Sequence, residues 1–119
     1  MRVLVVDNQV RTRQSIKALL TAWHQIQEVC EAGNGDEAIQ KVKTDQPDVI
    51  LMDLRMPKMD GLEVISFIKA KSPQIKIIAL SRYSDRVIDI LAAGADAFVN
   101  KSNSPDQIRK TLSEIILGN

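Results

Sequence analysis

The chain has one cysteine, one histidine and no apolar run near the ~20 residues that a membrane-spanning helix requires. The single cysteine, Cys30, excludes an internal disulfide and fits a reducing compartment. The histidine, His24, has no partner at metal-ligand spacing and is expected at a helix end on the surface. Neither sign of charge predominates: 16 Lys and Arg oppose 15 Asp and Glu. That balance gives no electrostatic reason for nucleic acid to be this domain's own ligand. Walker and dinucleotide glycine motifs are missing, as are low-complexity segments and linkers. Met1-Arg2-Val3 opens directly into a strand rather than a signal sequence. A single soluble, cytoplasmic domain is expected, because 119 residues suffice for one core.

What the chain does have is β-α alternation. Val3-Leu4-Val5-Val6 and Val49-Ile50-Leu51-Met52 are runs of four apolar residues, the pattern of parallel strands buried on both faces. Each run stops on a carboxylate, Asp7 or Asp53. Gln27 to Ala32 alternates weakly, as an edge strand does, and Cys30 reads there as a small core residue. Ile75 to Leu80 forms a fourth strand ending on Ser81, and Ala97-Phe98-Val99 a short fifth ending near Lys101.

Helices fill the intervals. Ile16, Leu19, Leu20 and Trp23 give the first an apolar face, with Trp23 at the core edge. Asn34 with Glu37, and Asp60 with Glu63, are capping-box pairs for the second and third helices. Ala38, Ile39 and Val42 turn inward on the second, and Leu62, Ile65 and Ile68 on the third. Ser84 caps a short fourth helix running to Ala93, with Gly94 in its C-terminal turn. Ser104-Pro105-Asp106-Gln107 opens the last helix, whose buried face carries Ile108, Leu112, Ile115 and Ile116. The fold class is therefore α/β: a doubly wound five-stranded parallel sheet with helices on both faces and right-handed crossovers. The weak second and short fifth strands belong at the edges, which fits the flavodoxin-like order 2-1-3-4-5.

In such a sheet the residues just past the strand ends meet on one side. Here they are Asp7 and Asn8, Asp53, Ser81 and Lys101. Oxygen ligands so grouped suit a hard cation such as Mg²⁺, which keeps several waters. A hydroxyl and an ammonium beside them suit the oxygens of a phosphoryl group.

At these positions the chain resembles the receiver domain of two-component response regulators, and the resemblance covers essentially all of it. Val5-Val6-Asp7, Met52-Asp53-Leu54-Arg55-Met56-Pro57, Met59-Asp60-Gly61, Ala93-Gly94-Ala95 and Lys101 stand where that family's motifs fall. The resemblance implies that Asp53 is the phosphoacceptor, taking its phosphoryl group from a sensor histidine kinase or a small phosphodonor. It implies a Mg²⁺ site built from Asp7, Asn8, Asp53 and the backbone carbonyl of Arg55. Ser81 and Lys101 would contact the phosphoryl group. Ser81 and Phe98 would form the switch, Phe98 being otherwise a plain core aromatic. The domain would catalyse only its own phosphorylation and dephosphorylation.

Three positions depart from the family. Asn8 replaces a second acid, Arg82 follows Ser81 in place of a small residue, and Ser102 follows Lys101 where proline is common. The last departure, with the region from Ala93 to Ser104, is similar to branches carrying a helix-turn-helix output. A cis bond before Ser102 would cost ~3 kcal/mol, so trans is expected. Asn119 falls where such regulators enter a linker, so residues 1–119 are expected to be the receiver part of a longer regulator that binds DNA through another domain. A standalone regulator is the other reading. Val87, Ile88, Ile90 and Leu91 exceed one buried stripe. Ile90 is therefore expected to be exposed, on a face of the fourth helix, fifth strand and fifth helix that supports homodimers. The competing reading is a pseudo-receiver, an interaction module switched by partner binding without phosphorylation. An aspartyl phosphatase would want a second Asp where Arg55 stands. A flavin binder would want a Ser/Thr/Gly-rich loop in place of Asn8-Gln9-Val10-Arg11.

Overall fold

Residues 1–55, 60–82, 86–101 and 105–116 are described by a computed structural model. Strands and helices alternate: β1 Arg2–Val6, α1 Val10–Thr21, β2 Glu28–Ala32, α2 Gly35–Asp45, β3 Val49–Asp53, α3 Gly61–Lys71, β4 Lys76–Ser81, α4 Val87–Ala92, β5 Ala97–Asn100 and α5 Pro105–Ile116. The sheet is parallel throughout, in the order β2-β1-β3-β4-β5. β3 is its centre, and all five of its residues are buried. On β1, β3 and β4 successive residues face opposite cores, as the two-residue period of a strand requires. Leu4, Val6, Ile50, Met52, Ile77 and Ala79 pack with α2, α3 and α4. Val3, Val5, Val49, Leu51, Ile78 and Leu80 pack with α1 and α5. Among the described residues no helix is long and apolar enough to cross a membrane.

Local details confirm some expectations and correct others. Asn34 accepts the Glu37 N–H at 2.9 Å, but Glu37 turns back to the N–H of Gly33, one residue before the cap. Asp60 accepts from Leu62 N at 3.0 Å rather than from Glu63, whose N–H goes to the Asp60 carbonyl. α3 buries Val64 together with Ile65 and Ile68, while Leu62 is half-buried. Trp23 lies just past α1 at the core edge, and His24 is exposed. Gly94 adopts φ +118°, which only glycine takes without strain. Gly61 is needed for a different reason: a Cβ there would lie 2.8 Å from Leu54 Cδ2 and 3.0 Å from Leu54 Cα.

The expected exposure of Ile90 is overturned. Ile90 is fully buried in the core that α2 and α3 share, and the outward residues are Ile88, 82 % exposed, and Leu91, 47 %. A six-residue helix laid on the sheet has room for one inward stripe. Ile88 and Leu91 lie about 200° and 100° around the axis from Ile90. The Met56-Pro57 break, the Ser84 cap, the Ser102 peptide bond and the Ser104 cap fall outside the described residues.

Candidate functional site

The parallel register decides which residues meet. Val6 is level with Met52, Asp53 with Leu80, and Ser81 with Asn100. Pairing continues one step past the strands: Asp7 N donates to Ala32 O at 3.1 Å, Leu54 N to Leu80 O at 3.2 Å, and Lys101 N to Ser81 O at 2.9 Å. The backbones of Asp7, Asp53 and Lys101 are thus fixed by the sheet itself before any side chain interacts.

On that frame Lys101 Nζ donates to Asp7 Oδ2 at 3.0 Å and to Asp53 Oδ2 at 2.9 Å. Asp7 is 1 % exposed and Asp53 3 %. The remaining carboxylate oxygens accept backbone N–H groups, Gln9 N on Asp7 Oδ1 at 2.8 Å and Arg55 N on Asp53 Oδ1 at 3.0 Å. Each carboxylate is oriented by one N–H and one shared ammonium, leaving two negative charges against one positive. Burying such an excess is costly. It is the kind of local imbalance found where a protein handles an ion or a charged substrate.

Asn8, Gln9, Asp53, Arg55, Ser81, Arg82 and Lys101 line a cleft of about 140 Å³ above these carboxylates. The structure therefore brings together Asp7, Asn8, Asp53, Arg55, Ser81 and Lys101, every expected site residue except Phe98. Phe98 is half-buried on β5, level with Ala79 and packed in the core beneath α4. It lies two register positions before the Ser81–Asn100 pair.

Two further residues build the site without having been expected. Gln9 supplies its N–H to Asp7, and Arg13 donates Nη1 to the Asp7 carbonyl at 2.6 Å while facing Glu31 at 3.3 Å. Arg13 lies one turn into α1, and only the path of the chain from β1 into that helix brings it over Asp7. No sequence motif marks it. A larger groove of about 400 Å³ lies at the opposite end of the sheet, between the last turns of α2 and α3. Its one carboxylate, Asp48, already accepts Arg2 N at 2.8 Å. Size does not mark the site here; converging charge does.

A parallel five-stranded sheet with an acid pair and a lysine at its carboxyl edge defines the response regulator receiver class. The sequence profile of the response regulator receiver domain matches residues 3–113, and the chain belongs to that family. It is 39 % identical over 116 residues to the response regulator protein VraR of Staphylococcus aureus, covering 92 % of this chain and 56 % of that protein. It is 32 % identical over 118 residues to the nitrate/nitrite response regulator protein NarL of Escherichia coli, covering 98 % and 55 %. The chain thus spans about half the length of these curated relatives. Among solved structures it superposes on the chemotaxis response regulator CheY4 of Vibrio cholerae with a TM-score of 0.85 at 28 % identity, covering 96 % of this chain and 97 % of that one.

Proposed function

We propose that this receiver domain takes a phosphoryl group on Asp53 from a sensor histidine kinase and uses it to control an output. The observation that carries the reading is the pair of nearly inaccessible carboxylates, Asp7 and Asp53, bridged by one ammonium at the mouth of a polar cleft. Asp53, oriented by Arg55 N, is the nucleophile. Lys101 already lies 2.9 Å from Asp53 Oδ2 and pairs with the phosphoryl oxygens once that carboxylate has become an acyl phosphate.

The donor set fits a hard divalent cation. Among the described residues no three Asp, Glu, His or Cys side chains group as ligands. Asp7 and Asp53 would supply the charge, with neutral oxygens from the Asn8 amide and the Arg55 carbonyl. Mg²⁺ bound there would neutralise charge that develops on the transferred group.

Ser81, at the last position of β4, is the hydroxyl that reaches for the phosphoryl group, and Phe98 on the neighbouring strand responds to its displacement. The changed surface is that of α4, β5 and α5, where Ile88 and Leu91 supply exposed apolar area for a homodimer. A relative 30 % identical to this chain is a transcriptional regulatory protein of Bacillus subtilis, which supports a transcriptional output; that output binds DNA through another domain, and the protein works in the cytoplasm. The domain's only catalysis is its own phosphorylation and dephosphorylation.

The test is incubation with a small phosphodonor and Mg²⁺, read by intact mass. One phosphoryl group is expected on the native protein and none on Asp53→Asn. Label that survives the substitution removes Asp53 from the role. A native protein that neither binds Mg²⁺ nor labels, while Asn8→Asp does both, makes this a pseudo-receiver.

A further inference from the structure

The turn from β1 into α1 carries the Asp7 carboxylate and the Asn8 amide, both proposed cation donors. Little in the helix start itself holds that turn. The N-cap residue, Gln9, makes no side-chain cap, its amide oxygen accepts from Thr12 Oγ1 at 3.1 Å, and the first turn of α1 has no acid. Arg13 supplies the missing restraint from one turn further on. Its backbone N–H donates to Gln9 O at 3.1 Å, and its Nη1 to Asp7 O at 2.6 Å. The guanidinium is itself held by Glu31 at 3.3 Å, and the side chain is only 17 % exposed. It lies against Gly33, where a Cβ would come within 3.4 Å of Nη1. One side chain thus ties the ends of β1 and β2 to the first turn of α1.

Asn8 and Gln9 line the cleft and Arg13 does not, so its influence on a bound cation passes through the turn. Charge and hydrogen bonding act there with opposite signs. A guanidinium repels a divalent cation, but Glu31 beside it offsets that charge. The hydrogen bond fixes the Asp7 carbonyl, and with it the direction in which the Asp7 and Asn8 side chains leave the backbone. Groups that orient metal ligands from outside contribute about 10- to 100-fold in affinity, so the hydrogen bond outweighs the compensated charge. We infer that Arg13 is a positioning residue for the cation site, holding the Asp7 carboxylate and the Asn8 amide on a common ion. This rests on Asp7 and Asn8 being Mg²⁺ donors. Arg2 provides the control. At the other end of β1 it makes the same two contacts, Nη1 to Asp45 O at 2.7 Å and Nε to Glu28 at 2.9 Å. A merely structural role would make the two arginines behave alike.

Mg²⁺ alone is titrated into native protein, Arg13→Met, Arg13→Lys and Arg2→Met and followed by amide NMR shifts, with urea melts on the same samples. Arg13→Met keeps the apolar stem and loses every donor, and it weakens Mg²⁺ binding about 10-fold. Arg13→Lys weakens it about 3-fold, because the charge remains while the fork that joins Asp7 to Glu31 is gone. Arg2→Met lowers stability and leaves Mg²⁺ affinity at the native value. With a small phosphodonor, the half-saturating Mg²⁺ concentration rises in Arg13→Met more than the maximal labelling rate falls. Native Mg²⁺ affinity in a folded Arg13→Met overturns the inference and leaves the metal reading standing. Tighter binding in that variant also overturns it, showing that only the charge of Arg13 is felt. An equal loss in Arg2→Met overturns it as a general loosening of the fold. Should Arg13→Met fail to fold, Arg13→Lys decides, and native affinity there overturns the inference. A native protein that binds no Mg²⁺ overturns the metal reading, and this inference with it.

Discussion

Each end of the sheet sets a lysine against a carboxylate, under different accounts of charge. At the amino end Lys69 Nζ donates to Asp96 Oδ2 at 2.9 Å, to Ile75 O at 2.8 Å and to Pro73 O at 3.3 Å. Asp96 Oδ2 also accepts Ile77 N at 2.9 Å. Lys76 Nζ stands 3.9 Å from Asp96 Oδ1, so this one anion has a cation on each oxygen, and all three Lys69 ammonium donors are directed at acceptors. At the carboxyl end Lys101 is shared between two carboxylates, each more deeply buried than Asp96. A cluster of the first kind, with no uncompensated anion, ties α3 to the start of β4. One with an excess carboxylate leaves free energy to be gained when a further cation arrives.

The comparison breaks most visibly if the two lysines are exchanged for an uncharged chain. Lys101→Met is expected to lower the labelling rate on the order of 100-fold, as loss of a charge-stabilising donor does. Lys69→Met leaves labelling unchanged and costs about 1–2 kcal/mol in stability, because Asp96 loses its nearer counter-ion but keeps Ile77 N and the more distant Lys76. Denaturant melts and phosphorylation rates on the same preparations check both halves. Equal effects of the two variants on labelling would erase the distinction.

A second substitution tests how tightly the site's frame is held. Gly61→Ala forces a Cβ to within 2.8 Å of Leu54, the residue after Asp53. Overpacking of this kind is expected to cost about 1–3 kcal/mol and to slow labelling by displacing Asp53. A melt identical to native would show that Leu54 yields without cost.

Asn8→Asp sharpens the imbalance by adding a third charge to the oxygens in the cleft. Charges ~4 Å apart interact by roughly 4 kcal/mol at an effective dielectric of about 20, and desolvation offsets much of this. The net gain in Mg²⁺ binding is about 1–2 kcal/mol, or roughly 5- to 30-fold in affinity by titration. Native protein should still label at saturating Mg²⁺, because Asp7 and Asp53 remain. No gain in the variant would place Asn8 outside the metal's reach.

The smallest effect lies away from both ends. Burial pushes the Cys30 thiol up from 9.0 to about 11, with the Asp45 and Glu28 carboxylates adding to the shift. At pH 8 it therefore holds roughly 100-fold less thiolate than an ordinary cysteine, and alkylation should be correspondingly slow. Between about pH 9 and 11 the folded chain keeps this proton and the unfolded chain loses it. Stability therefore falls as pH rises through that window, more in native protein than in Cys30→Ala. Alkylation at the rate of an unfolded control would contradict the shift.

Much of this architecture was legible in the residues. Runs such as Val49 to Met52 announce doubly buried strands, and Asn34 and Asp60 announce helix starts, because both signals are local. The acids Asp7 and Asp53 were legible for the same reason: a carboxylate that ends a buried strand stands out against the apolar run. The α4 stripe was not. Val87, Ile88, Ile90 and Leu91 are all apolar, so periodicity could not choose the inward face, and packing against α2 and α3 put Ile90 there. Gln9 and Arg13 were missed because one acts through its backbone and the other reaches Asp7 only after β1 turns into α1.

The sequence by itself determined the α/β alternation, the strand ends and the residue types offered at them, since each follows from hydrophobic period and turn chemistry within a few residues. Tertiary structure alone decided that one ammonium from position 101 would bridge carboxylates 94 and 48 positions earlier. Among the described residues it also left the Arg82 guanidinium without a hydrogen-bond or ion-pair partner on the cleft wall. Those relations depend on parallel register across separate strands, and no local pattern encodes a distance between residues that only the folded sheet makes neighbours.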